Sequence, residues 1–235
     1  MHLFYKTRIE GKTQELDEQE SRHAVRVLRL LKGDPVILVD GAGGWYEAVI
    51  EEAHPKRCIL EIRSFTEGHS PLPYHLHIAI SPTRSIDRFE WFLEKATEIG
   101  ISEITPLICE RTERKQVKSE RLEKIIVSAM KQSLRAYKPL LSGPVQLSDF
   151  LRRDVSGTRG IAHCHHTHRL TLSELEQSGR YTVLIGPEGD FTGEEVSEAV
   201  SAGYLPFQLA ESRLRTETAG IYLCSAISMM ELKVT

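Results

Sequence analysis

The chain has 235 residues, 40% of them hydrophobic and 27% charged. That suits one large domain or two small ones around a real core, and it excludes a mostly disordered chain. The net charge is −3, yet this averages −2 over 1–73, +4 over 74–160 and −5 over 161–235, so a nucleic-acid binder in the whole-chain sense is excluded while a local one is not.

The chain through residue 65 reads mostly as strands. Residues 35–40 are a short apolar run, 40–44 (Asp-Gly-Ala-Gly-Gly) carry turn chemistry, and 45–50 resume a β-rich pattern. Between 57 and 65, Cys58, Leu60 and Ile62 alternate with Glu61 and Arg63. Three short strands with tight turns predict a small barrel or sandwich. One helix is predicted over 17–31, with Ala24, Val27, Leu28 and Leu31 at helical spacing. Residues 66–74, with Gly, Ser and two prolines, form a linker, and a domain boundary is expected near 72.

Beyond the linker the texture changes. A buried strand at 77–80 precedes a helix marked by Ile86, Phe89, Leu93, Ala96 and Ile99, which Gly100 caps. A strand at 104–108 follows, then a basic amphipathic helix over 119–137. Residues 160–162 and 181–185 read as buried strands, 192–202 as an acidic helix and 216–232 as an apolar helix rich in small residues. Strands alternating with helices predict a parallel α/β sheet. No apolar run nears the ~18 residues of a membrane span, and Met1 to Lys6 lack a cleavable signal pattern, so a cytoplasmic address is expected.

Several stretches could carry chemistry. The glycine-rich 40–44 resembles a nucleotide-binding loop, but a strand-like segment follows it where such a loop would open a helix, so a hairpin turn is expected. His163-Cys164-His165-His166-Thr167-His168 offers metal-ligating types, but adjacent residues converge poorly on one ion and the four cysteines are scattered; no metal is expected. A buried strand runs into Ile185-Gly186-Pro187-Glu188-Gly189, and Thr192 with Glu195 forms a capping-box pattern. That is either an ordinary connection or a close backbone approach to a ligand at a strand's C-terminal end. Leu209 to Gly220 sets Arg213, Arg215, Thr216, Glu217 and Thr218 at the start of an uncharged helix; Glu217 alone could be a dipole-favourable residue. The segment 111–138 holds nine Lys and Arg against three Glu, which is either a solvated face or a grip on phosphates.

Four segments in this order and spacing resemble the ribosomal RNA small subunit methyltransferase E family. They are 94–100 (Glu-Lys-Ala-Thr-Glu-Ile-Gly), 132–135 (Gln-Ser-Leu-Arg), 185–189 and 214–219 (Leu-Arg-Thr-Glu-Thr-Ala). Residues 23–29 with Gly33-Asp34 resemble its N-terminal domain. The resemblance implies a PUA-like β-barrel, RNA-binding, over 1–72, and a SPOUT α/β domain with a C-terminal trefoil knot over 73–235. It further implies homodimers that transfer a methyl group from S-adenosylmethionine to N3 of a uridine in 16S ribosomal RNA, on the assembled 30S subunit.

Carried over by position, three loops should hold the cofactor. The first contributes His163 and Cys164, and the second Ile185, Gly186, Pro187, Glu188 and Gly189. The third contributes Leu209, Ala210, Ser212 and Leu214, with Thr216, Thr218 and Ala219 behind it. Arg215 and Glu217 are the expected catalytic pair. His23, Arg26, Arg29, Arg114, Lys118, Lys131, Gln132 and Arg135 are the expected RNA contacts. The chain departs from the family at Asp190 and Ala210, where glycines are usual, and at Lys131, where Glu is common. Other readings are a SPOUT enzyme of another RNA such as tRNA, a non-catalytic RNA-binding assembly factor, or a nucleotide-phosphate enzyme. The last lacks a Gly-Lys-Ser/Thr sequence.

Overall fold

The structure, a computed structural model, describes residues 1–165 and 169–232. The chain divides into two compact units: Met1–Pro71 together with Met130–Lys138, and Leu72–Ala129 together with Pro139–Thr235.

The first unit is a five-stranded sheet in the order β1 (Leu3–Tyr5), β3 (Pro35–Val39), β4 (Trp45–Glu52), β5 (Ile59–Thr66), β2 (Thr13–Glu15). β1 and β3 run parallel and the other pairs antiparallel. Register shifts at Glu47/Ala48 and Ile50/Glu52 bend β4 around a core of Phe4, Leu38, Ile50, Cys58 and Leu60. The glycine-rich segment is the β3–β4 hairpin turn. One Asp40 oxygen accepts from the backbone N–H of Ala42 (2.7 Å) and of Gly44 (2.9 Å). Gly43, at φ 101°, must lack a side chain, because a Cβ there would stand 2.4 Å from the Tyr137 ring.

Two helices differ from their sequence periodicity. The one expected over 17–31 is a short α1 (Glu18–Arg22), capped by Asp17, that widens into a π-helical turn, His23–Val27. Leu28 N–H bonds His23 C=O, five residues back. The extra residue per turn rotates the face. Ala24 and Leu30 are buried, while Val27 and Leu31, expected inside, are 64% and 68% exposed. The helix expected to 137 is α3 (Ser119–Gln132). Leu134 takes φ 55°, a left-handed conformation that ends the helix, so Arg135 lies beyond it.

The second unit is a parallel sheet in the order β11 (Leu170–Thr171), β13 (Leu205–Gln208), β10 (Thr158–Ala162), β12 (Arg180–Ile185), β6 (His75–Ile80), β7 (Glu103–Ile108), β8 (Leu140–Leu141), with β9 (Val145–Gln146) also on β7. Every described pairing in it is parallel. Alternate residues of a strand face opposite sides. Leu76, Ile78 and Ile80 of β6 join the core under α2 (Ile86–Ile99) and α6 (Thr216–Glu231). Ala79 faces the other core, with Phe150 of α4 (Leu147–Leu151) and Ala199 of α5 (Gly193–Ser201). The expected α/β layering is thus present. The small residues of α6 serve this packing: a Cβ at Gly220 would lie 2.5 Å from Phe92 of α2.

Candidate functional site

Parallel strands end together, so the loops that leave their C-terminal ends share one edge. Here the loops after β10, β12 and β13 converge on a cleft of about 260 Å³. His163 and Cys164 line it from the first loop, Ile185 to Glu188 from the second, and Leu209, Ala210, Ser212 and Leu214 from the third. Arg215, Thr216 and Ala219, at the start of α6, complete the wall. Gly189, Thr218 and Glu217, from the expected set, lie outside the lining.

Each loop is held by identifiable bonds. Gly186 packs under Phe191, where a Cβ would meet the ring at 3.0 Å. The Thr216 hydroxyl donates to the Gly186 carbonyl (3.0 Å), fastening α6 to the second loop. The capping box forms: Thr192 Oγ1 accepts from Glu195 N–H and Glu195 Oε2 accepts from Thr192 N–H. The other Glu195 oxygen accepts from Glu110 N–H (2.8 Å), while Arg111 donates to the Gly189 carbonyl (2.8 Å) and Arg84 N–H to Glu188 (2.9 Å). The second loop is therefore braced from the ends of both β6 and β7.

Asp190 accounts for its own departure. It sits at φ 64°, a conformation that glycine adopts freely and Asp tolerates. Its carboxylate accepts from Cys164 N–H (2.8 Å) and Phe191 N–H (2.9 Å), tying the first loop to the second.

His163 is 4% exposed, and burial lowers its pKa, so the neutral ring is favoured. Its Nδ1 accepts from His165 N–H (3.2 Å). The proton therefore belongs on Nε2, which is buried without a partner on a residue lining the cleft, a donor available to a ligand. Arg169, which sequence reasoning missed, also lines the cleft and donates to the His163 carbonyl (2.7 Å). Residues 166–168 of the histidine run lie outside the described residues.

Glu217, in the first turn of α6, is 6% exposed, and its Oε2 has no hydrogen-bond partner. Arg215 is exposed on the cleft wall. Among the described residues, the cation within ion-pair distance of Glu217 is Arg88 of α2, at 3.9 Å; Arg215, its expected catalytic partner, makes no such pair. A cation in the first turn of a helix opposes the macrodipole, and that oddity was the sequence signal for Arg88.

The expected RNA contacts fall in both units. In the first, His23, Arg26 and Arg29 are exposed on and just after the π-helical turn, and Gln132 is exposed. Lys131 is paired with Glu20 at 2.6 Å and lies over the Phe4 ring, so its charge is matched within the protein. Arg135 is half-buried. In the second unit, Lys118 is exposed, whereas Arg114 donates to the carbonyls of Thr83 and Arg84. No helix among the described residues is long and apolar enough to cross a membrane.

Comparison with known proteins adds to this geometry. Residues 70–228 match the RNA methyltransferase domain family and residues 16–63 the RNA methyltransferase PUA domain. A probable rRNA-methyltransferase from Porphyromonas gingivalis superposes with a TM-score of 0.92 at 39% identity, covering 98% of both chains. A ribosomal RNA small subunit methyltransferase E from Neisseria gonorrhoeae, solved bound to S-adenosyl methionine, superposes at 0.90 with 27% identity over 98% of both. The enzyme of that name from Synechocystis is 34% identical over 83% of this chain, which spans 65% of that relative's length.

Proposed function

Since this chain belongs to the RNA methyltransferase family, with its PUA domain, we propose that it transfers a methyl group from S-adenosylmethionine to N3 of a uridine in 16S ribosomal RNA, on the 30S subunit, as a homodimer. The observation that carries the reading is the convergence of the loops after β10, β12 and β13 on one cleft, in a chain similar over nearly its whole length to a small-subunit rRNA methyltransferase solved with that cofactor.

The residues present suit the cofactor. The orphaned His163 Nε2 is a donor for a polar group, and Gly186 gives backbone access without side-chain bulk. When bound, S-adenosylmethionine supplies an electrophilic methyl group on a cationic sulfur. The rest of the task belongs to the chain. Uridine N3 carries a proton at neutral pH and is a poor nucleophile until it loses it, so the site needs a base and a positive charge beside the developing anion. Glu217 Oε2 accepts the proton. Arg215, exposed on the cleft wall, stabilises the uridinate. The exposed His23, Arg26, Arg29 and Lys118 hold RNA phosphates.

The test is nucleoside analysis of 30S subunits from cells lacking the gene, before and after treatment with the purified protein and S-adenosylmethionine. The expected result is 3-methyluridine absent before and restored after. Restoration of a different methylated nucleoside, or a product in tRNA alone, would contradict the reading.

A further inference from the structure

We propose that Arg88 is the positioning residue for Glu217: it pairs with Oε1 and so leaves Oε2 as the oxygen that takes the substrate proton. This rests on the reading that Glu217 accepts the N3 proton.

Four observations converge. Glu217 has a side chain only 7% exposed, and a buried carboxylate is costly without a compensating charge. Arg88 Nε stands 3.9 Å from Oε1, and among the described residues no other cation is paired with Glu217. Oε2 is buried and unpartnered, the state expected of an acceptor whose partner arrives with the substrate. Arg88 also reaches solvent: its side chain is 46% exposed and lines a second hollow with Arg84, Ser85, Glu113 and Glu188. Glu188 belongs to the cofactor cleft as well, so the two hollows share a wall.

Helix energetics supply no other reason for this arginine. It stands in the first turn of α2, three residues after the N-cap Ser85, where a cation is disfavoured. The α2–α6 contact fixes the pair, since Gly220, three residues beyond Glu217, lets α6 lie directly against Phe92.

The experiment is single-turnover methyl transfer to 30S subunits at saturating S-adenosylmethionine, comparing wild type with Glu217→Gln, Arg88→Gln, Arg88→Lys and the double variant Arg88→Gln/Glu217→Gln. Cofactor titration of each confirms a folded site. Glu217→Gln should slow the maximal rate ~10²–10⁴-fold, the usual worth of a general base. Arg88→Gln should slow it ~10²-fold, as misplacement of a reacting group by about 1 Å does, with RNA and cofactor affinities retained. Arg88→Lys should recover most of the rate. In the double variant, Arg88→Gln should add nothing to the Glu217→Gln loss, because the two act as one unit.

The proposal is overturned if Arg88→Gln turns over at the wild-type rate, if the two losses multiply, or if the Arg88→Gln defect is weaker RNA affinity at an unchanged maximal rate. An active wild type whose Glu217→Gln variant is equally active keeps the methyltransferase reading and removes this inference. A wild type that transfers no methyl removes both.

Discussion

Asp190 carries two opposing effects in one side chain. Its φ of 64° costs a non-glycine residue roughly 1–2 kcal/mol, yet its carboxylate accepts two backbone N–H groups, each charge-assisted bond worth about 1.5–3 kcal/mol. Asp190→Ala keeps the strain and loses the bonds, so it should lower the unfolding free energy by about 3–6 kcal/mol and loosen the first loop. Asp190→Gly loses the bonds but relieves the strain and should cost about 1–2 kcal/mol less than Ala. Denaturant unfolding of both variants checks this; equal losses would mean the backbone conformation contributes nothing. The sequence exposed Asp190 only as a departure from a pattern. Its compensation required a partner, Cys164, 26 residues away.

Elements show where periodicity suffices and where it does not. The strand–turn–helix at 185–201 was legible because each signal was local: a buried strand, Gly-Pro-Glu-Gly, then the Thr192/Glu195 box. The hairpin at 40–44 was legible because a strand followed the glycines. The π-helical turn was not, because Ala24, Val27, Leu28 and Leu31 fit a 3.6-residue repeat, and only the Leu28-to-His23 bond reveals the extra residue. The end of α3 was equally hidden, since Leu134 is a good helix former in an apolar position yet adopts φ 55°. Arg26, in the π turn, and Arg29, just after it, are both exposed. If they hold phosphates, Arg26→Ala with Arg29→Asn (Asn tolerates the φ of 58° at 29) should flatten the slope of log affinity against log salt by about 1.5. Binding titrations against 16S RNA at several salt concentrations test it; an unchanged slope would take these arginines off the RNA.

At the scale of the molecule, net charge was the least informative number, because its three stretches differ in sign. The pairing of Met130–Lys138 with the N-terminal sheet had no sequence signal, since Gly43 and Tyr137 meet only in the fold. Whole-chain stability should carry a pH signature from β6. His77 is 5% exposed, bonded to Thr105 (2.8 Å) and 3.7 Å from Glu103. Burial lowers its pKa from 6.5 to about 4 against the opposing pull of Glu103, with His75 and Arg153 adding to the fall. The unfolded chain therefore takes up this proton first as pH falls. The His77 contribution is fully present above pH 6.5 and is lost between there and about pH 4, to the extent of about 3 kcal/mol. His77→Gln should remove that part of the pH dependence; parallel wild-type and variant curves across this window would contradict it.

If the cleft between the three loops is a cofactor site, calorimetric titration with S-adenosylmethionine will show it. Ala210 is half-buried on the cleft wall, so Ala210→Phe fills the cleft while sparing the core. The wild type should bind at micromolar concentration and the variant at least about tenfold more weakly, the worth of about 1.4 kcal/mol, with unfolding unchanged. A folded wild type that binds nothing up to millimolar concentration, or a variant that binds as well as the wild type, would contradict it.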